Sequence, residues 1–137
     1  MTKMGTTYLG NLRTEILHEQ SGNKIITDAH RDNHGKGEYF SPTDIFASSL
    51  ASCMLTIMGI SAQSYGFNID GTTVEIEKEM AANPRRVARI VVDITFPKGQ
   101  KYDDKAKRLI ESAARTCPVS NSLHPDIVKD IRFHYDD

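Results

Sequence analysis

The stretch SPTDIFASSLASCMLTIMGISAQSYG, residues 41–66, decides the fold of this chain because it predicts one long helix. Ser41 suits an N-cap, Pro42 suits the first helical position, and Asp44 follows where an acid faces the positive end of the helix dipole. The pattern continues to about Tyr65, and the glycine after it ends the helix. A helix of this extent has about 24 residues and is roughly 36 Å long.

Apolar and small residues surround this predicted helix on nearly every side, from Ile45 and Phe46 to Met58 and Ile60. A helix that is apolar all round is buried in a large core or between subunits. A chain of 137 residues can hardly wrap such a helix completely. The helix therefore predicts an oligomer.

The segments around the helix predict an α+β fold of order βββ-α-ββ-α-α-β in a single domain, residues 1–137, with mainly antiparallel pairing. Strand patterns cover Thr6–Leu17 and Lys24–Asp28, with a turn at Gln20–Asn23. After the long helix, strict alternation predicts further strands, and helical spacing followed by Pro118 predicts two helices before the last strand. The ranges are Val74–Met80 and Ala88–Phe96 for strands, Tyr102–Ala114 and Pro118–Leu123 for helices, and Ile131–Tyr135 for the last strand.

Composition and charge exclude several classes of function. Lys and Arg number 17 and Asp and Glu 18, so the net charge of −1 gives no reason to bind nucleic acid or an anionic membrane. The N-terminus has no apolar signal region, and serines interrupt the most apolar window, Ile45–Ile60. We expect a cytoplasmic protein, in which stable structural disulfides are rare.

The two cysteines are the candidates for chemistry. Cys53 shares a helix face with large apolar residues, and Cys117 lies at or beyond the apolar face of its own helix, so the two thiols could meet. The alternative is that both are inert core residues, as unpaired cysteines often are. Cys117 precedes Pro118 and suits an N-cap, which by itself predicts the more acidic thiol. Cys53 would need a nearby cation, for which Arg13, Arg31 and Lys36 are candidates.

Two motifs resemble the OsmC/Ohr family, the osmotically induced and organic-hydroperoxide-resistance proteins. Residues 41–53, SPTDIFASSLASC, resemble the family's Pro-led long helix with its reactive cysteine, and residues 117–123, CPVSNSL, resemble its second-cysteine motif. The element order also matches across essentially the whole chain. The resemblance implies antiparallel sheets around a long central helix, an intertwined homodimer, and active sites at the subunit interface.

The resemblance also implies a thiol-dependent peroxidase acting on organic hydroperoxides. Cys53 would attack the peroxide and become a sulfenic acid, Cys117 would condense with it to a disulfide, and an external dithiol such as a lipoylated protein would restore both thiols. No metal or organic cofactor is implied. The family's activating arginine matches Arg13 best. The family carries an acidic residue ten positions before the reactive cysteine, but this chain has Thr43 there. The next residue, Asp44, is either the corresponding acid of a third, YhfA-like branch or only a capping group.

Other functions stay open at this point. Without an acid at position 43, the chain could be a non-catalytic member that binds an apolar small molecule or a partner in the intersubunit cleft. Cysteine-dependent acyl transfer would need a base such as His124. His30 and His34 have HxxxH spacing, but they lie in a predicted loop without an obvious third metal ligand.

Overall fold

The computed structural model describes residues 1–137 and confirms the predicted α+β element order. The chain divides into two compact units, residues 1–46 and 47–137. The elements are β1 Met4–Gly10, β2 Arg13–His18, β3 Lys24–Asp28, a 3₁₀ turn Arg31–Asn33, α1 Pro42–Tyr65, β4 Thr73–Ala81, β5 Arg86–Thr95, α2 Asp104–Arg115, α3 Pro118–Ser122 and β6 Val128–His134.

The first unit is built on an antiparallel sheet of order β1-β2-β3. The segment Thr6–Leu17, predicted as strand structure without a turn position, is a hairpin that reverses at Asn11 and Leu12, whose φ angles are 56° and 62°. Two successive positive φ angles give a turn whose twist matches that of the flanking strands. Leu12 rarely adopts this conformation, which is why the sequence did not predict the turn.

A loop of residues 29–40 connects β3 to α1 and folds back closely on its own beginning. A Cβ atom at Gly35 would overlap the backbone carbonyl of Ala29, so only glycine fits there. At the other end of the loop, the backbone N–H of Asp28 donates to the carbonyl of Phe40 at 3.1 Å. The loop is therefore held to the end of β3 by its own backbone.

Helix α1 begins and ends where the sequence predicts. The Ser41 hydroxyl accepts from the Asp44 N–H at 3.1 Å, and the Asp44 carboxylate accepts from the Ser41 N–H at 3.0 Å. This reciprocal pair satisfies donors that the first turn leaves free. At the other end, Gly66 has a φ of 77° and its N–H donates to the Ala62 carbonyl at 2.9 Å, which ends the helix.

The second unit packs α1 and α2 against one face of a sheet of order β4-β5-β6. β4 and β5 are antiparallel, whereas β5 and β6 are parallel, with α2 and α3 lying between them in the chain. Parallel neighbours need such a crossover connection. The largest fully buried side chains of the core are Leu50, Met54, Met58, Ile90, Ile94 and Ile110.

Only one stripe of α1 is buried within the chain, comprising Ala47, Leu50, Met54, Met58 and Ala62. Other apolar residues of the helix remain accessible, including Phe46 and Ile60, which are 40% and 55% exposed. By length and hydropathy alone α1 could also cross a membrane, but a helix of a protein core has the same properties. The single chain thus leaves much of the helix uncovered, as its composition predicts.

Candidate active site

The two thiols of the chain lie side by side in the second unit. Cys53, in the middle of α1, accepts a hydrogen bond at Sγ from the Val119 N–H at 3.5 Å. Cys117, which precedes α3, accepts one at Sγ from the Ser120 N–H at 3.4 Å. The Cys117 thiol also interacts electrostatically with the Cys53 side chain. The two thiols thus lie next to consecutive N–H groups of one short helix, and both are free.

The local sequence around Cys117 produces this arrangement. Pro118 starts α3, and Cys117 occupies the N-cap with extended φ and ψ angles of −64° and 152°. The first N–H groups of a helix have no partner within it, so they are available to acceptors in front of it. In α3 two successive N–H groups, those of Val119 and Ser120, each contact a different sulfur.

The thiols differ in exposure. Cys117 is completely buried, whereas Cys53 is partly accessible. Burial raises the pKa of the Cys117 thiol above its ordinary value, and the Ser120 N–H only partly opposes this effect. The expectation that the N-cap position lowers the pKa of the Cys117 thiol is therefore wrong. The N-cap contact exists, but loss of solvation dominates it.

Arg13 lies at the start of β2 in the first unit, where two carboxylates and a ring surround its guanidinium. It forms an ion pair with Glu38, lies 3.5 Å from a carboxylate oxygen of Asp28, and stands 5.1 Å from the centroid of the Tyr39 ring. Arg13 and Asp28 are also register partners between β2 and β3. The sequence did not predict either acid as a partner of Arg13, because only the strand pairing and the following loop bring them together.

Asp28 is fully buried and held in its ionised form. The Glu38 backbone N–H, which donates to its carboxylate at 3.0 Å, and the charge of Arg13 hold the pKa of Asp28 below its ordinary value despite burial. Arg13 therefore sits against a permanent negative charge.

Asp44 has the capping role that was one of its two predicted interpretations, since it closes the reciprocal pair with Ser41. It precedes Cys53 by nine residues on the same helix. Nine residues correspond to a rise of about 13 Å and a rotation of about 900°, which places the two side chains on opposite sides of α1. Asp44 could thus influence the Cys53 thiol only through another group.

Two residues near the thiols were not predicted. Lys129, on β6, donates from Nζ to the hydroxyl of Ser120 at 2.9 Å, and Ser120 is the residue whose N–H contacts Cys117. No local signal in the sequence connects a strand lysine with a serine in a short helix nine residues earlier. The contact arises only from the fold of the second unit.

His30 and His124 have local partners. His30 caps the 3₁₀ turn by accepting from the Asp32 N–H at 3.2 Å, and His124 accepts from the Asp126 N–H at 3.0 Å. No group of three or more His, Cys, Asp or Glu side chains is arranged to hold a metal ion. The side chain of His124 is 69% exposed.

The chain has a mixed α+β fold, in which one thiol on a long helix lies beside a second thiol at the start of a short helix. These features define a class of two-cysteine proteins. A sequence model of that class, described as OsmC-like protein, matches residues 35–132. The chain therefore belongs to the OsmC-like protein family, and the resemblance drawn from its two cysteine motifs is confirmed.

Solved structures agree with this assignment. The chain is 54% identical to a Psychrobacter arcticus protein provisionally described as an osmotic stress induced and detoxification response protein, with 98% of this chain and 96% of that chain covered and a TM-score of 0.92. It is 16% identical to an organic hydroperoxide resistance protein OsmC from Legionella pneumophila, with 98% and 96% covered and a TM-score of 0.77.

For the organic hydroperoxide resistance protein OhrB of Bacillus subtilis, the identity is 14%, the coverage 97% of each chain and the TM-score 0.71. These last two likenesses establish the shared fold. A comparison with functionally curated proteins found no match.

Proposed function

We propose that this protein is a thiol-dependent peroxidase that reduces organic hydroperoxides. The observation that carries the proposal is the pair of free thiols, which accept hydrogen bonds from two consecutive N–H groups of α3 and differ in exposure. A partly accessible sulfur can meet a peroxide, and a buried neighbour can then attack the oxidised product. The names of the Legionella and Bacillus relatives support peroxide as the substrate class.

In the first step, the Cys53 thiolate attacks the terminal oxygen of the hydroperoxide. A sulfur–oxygen bond forms and the oxygen–oxygen bond breaks, so Cys53 becomes a sulfenic acid and is oxidised by two electrons. The alkoxide leaves and takes up a proton to become the alcohol. The Val119 N–H, at 3.5 Å from the Cys53 sulfur, stabilises negative charge on that sulfur before the attack.

In the second step, Cys117 loses its proton and its thiolate attacks the Cys53 sulfur. A sulfur–sulfur bond forms, the sulfur–oxygen bond breaks, and the departing hydroxide takes the proton to become water. An external dithiol, for which we propose a lipoylated protein, then reduces the disulfide and is itself oxidised. No metal or organic cofactor takes part in these steps.

We further propose a cytoplasmic homodimer. The accessible apolar residues of α1, among them Ile60 at 55% exposure, supply a surface that a second copy would cover. A reducing compartment would keep the two thiols available between turnovers. The net charge of −1 gives no reason to propose nucleic acid as a partner.

Arg13 and Asp44 are the proposed supporting groups for Cys53, as the family resemblance implies. Replacing Arg13 by Ala should slow peroxide loss, and replacing it by Lys should restore part of the rate. Because Asp44 also caps α1, Asp44→Asn, which keeps a capping side chain, is the informative variant, with Asp44→Ala as its stability control.

The test follows the loss of cumene hydroperoxide with dithiothreitol as reductant. The wild type should consume peroxide catalytically, Cys53→Ser should not, and Cys117→Ser should form a sulfenic acid that dimedone traps. Non-reducing electrophoresis should show that the disulfide of the wild type lies within one chain. Equal rates for the wild type and Cys53→Ser would refute the proposal.

The alternative function, binding of an apolar small molecule or a partner without redox chemistry, gives a different pattern. In that case neither thiol would react with the peroxide, while both cysteine variants would bind the same ligand as the wild type. The apolar character of the uncovered part of α1 is the observation that favours it.

A further inference from the structure

Lys129 makes a contact that its place on a strand does not explain. Its side-chain Nζ donates to the Ser120 hydroxyl at 2.9 Å and lies 3.4 Å from the Ser120 carbonyl oxygen. Ser120 is only 3% exposed, so the ammonium group points from an exposed residue into the buried start of α3. Fixing a lysine side chain costs conformational entropy and part of the hydration of its ammonium group. The contacts with Ser120 must offset that cost in free energy.

Ser120 connects this ammonium group to the thiols. Its backbone N–H donates to the Cys117 sulfur at 3.4 Å, and the preceding N–H, of Val119, donates to the Cys53 sulfur at 3.5 Å. Lys129 holds both the side chain and the carbonyl of Ser120. The orientation of the Ser120 N–H, the donor to Cys117, therefore depends on a residue that touches neither sulfur.

We propose that Lys129 is a positioning residue for the resolving thiol, acting through Ser120. It keeps the Ser120 N–H directed at the Cys117 sulfur, and its charge favours the negative charge that Cys117 must carry when it closes the disulfide. The inference rests on the proposed peroxidase function for its role, because disulfide closure is the second step of that reaction. Lys129 is not a catalytic residue, since it contacts neither the thiols nor the substrate.

Burial of Cys117 makes such help necessary. Its thiol loses solvation and its pKa rises accordingly, so it is mostly protonated when the sulfenic acid forms. Hydrogen bonds and positive charge that favour the thiolate are the means by which proteins oppose this effect. Within the second unit, Lys129 is bonded to the residue that donates to Cys117.

The experiment separates the two steps in a single turnover. One equivalent of cumene hydroperoxide is mixed with the reduced protein, and Cys53 sulfenic acid and disulfide are quantified over time by dimedone trapping and mass spectrometry. Lys129→Met should leave sulfenic acid formation unchanged and slow disulfide closure about fivefold. Lys129→Arg should close at nearly the wild-type rate because it keeps the charge.

Two further variants make the result specific. Ser120→Ala should slow closure as Lys129→Met does, and the double variant should be no slower than either single variant, because both changes interrupt the same connection. Lys98→Met, at an exposed lysine of the turn after β5, is the matched control and should behave as the wild type. Melting temperatures of all variants are measured in parallel.

Three outcomes would overturn the inference: equal closure rates in Lys129→Met and the wild type, failure of Lys129→Arg to restore closure, or additive effects of the Ser120 and Lys129 changes. Diamide, which oxidises dithiols without a peroxide, keeps this test independent of the proposed function. The wild type could fail to reduce peroxide while diamide still closes its disulfide faster than that of Lys129→Met. This result would refute the peroxidase function and support the positioning role of Lys129.

Discussion

Oxidation to the Cys53–Cys117 disulfide should raise the thermal stability of this protein. The bridge would close a loop of about 65 residues, which in the loop-closure description corresponds to about 4 kcal/mol at 25 °C. The sulfurs are already neighbours, so little backbone movement is needed. The hydrogen bonds that Val119 and Ser120 donate to the thiols must readjust, which reduces the gain. We therefore expect a net stabilisation of about 2–4 kcal/mol.

For a chain of 137 residues this stabilisation corresponds to a rise in Tm of about 7–14 °C. The assay is differential scanning calorimetry of the protein kept reduced with a phosphine and of the protein treated with one equivalent of cumene hydroperoxide. Free thiols are titrated in both samples, and the protein concentration is held constant because association also shifts Tm. Cys117→Ser, treated in the same way, should show no such rise.

Two results would refute this reasoning. Oxidised protein that still has two titratable thiols would show that the sulfurs do not bridge. Oxidised protein with an intrachain disulfide and a lower Tm than the reduced form would show that bridging distorts the backbone, contrary to the adjacency described above.

Three further predictions concern single groups. Because burial raises the pKa of Cys117, disulfide closure in a single turnover should accelerate as the pH rises from about 7 to 9; a flat profile by stopped flow would contradict this. The pKa of Asp28 lies below 3.8, so the stability that its ionised carboxylate contributes is present above that pH and is lost as the pH falls. Urea unfolding should therefore show Asp28→Asn to be less stable than the wild type at pH 7, with a smaller difference at pH 3. Gly35→Ala should expose loop 29–40 to limited proteolysis because its Cβ meets the Ala29 carbonyl, whereas Gly5→Ala, which meets nothing, should not.

The sequence predicts the long helix accurately because its signals are local. Ser41, Pro42 and Asp44 are adjacent in the chain and start a helix by hydrogen bonds and dihedral angles that need no distant partner. The hairpin at Asn11 and Leu12 was missed because the strand pattern continues through a turn with an atypical residue. Parallel pairing of β6 with β5 likewise depends on the path of α2 and α3 rather than on the composition of β6.

The candidate site was predictable only in part, for the same reason. The cysteines stand in motifs that can be read along the chain, and their meeting follows from two apolar faces. The carboxylates around Arg13 come from the neighbouring strand and its loop, and Lys129 reaches Ser120 from another element. Such contacts are set by strand register and packing, which a single sequence does not reveal.

The error about Cys117 shows how the N-cap position works in this protein. A helix start lowers a thiol pKa when the thiol is also solvated, because its donors then add to water. Cys117 is fully buried, and the N–H groups of Ser120 and Val119 offset its lost solvation only in part, so its thiol holds its proton more firmly. The Val119 N–H donates to Cys53, which is the partly accessible sulfur. The same short helix can thus support negative charge first on the attacking thiol and then on the resolving thiol, and burial sets that order.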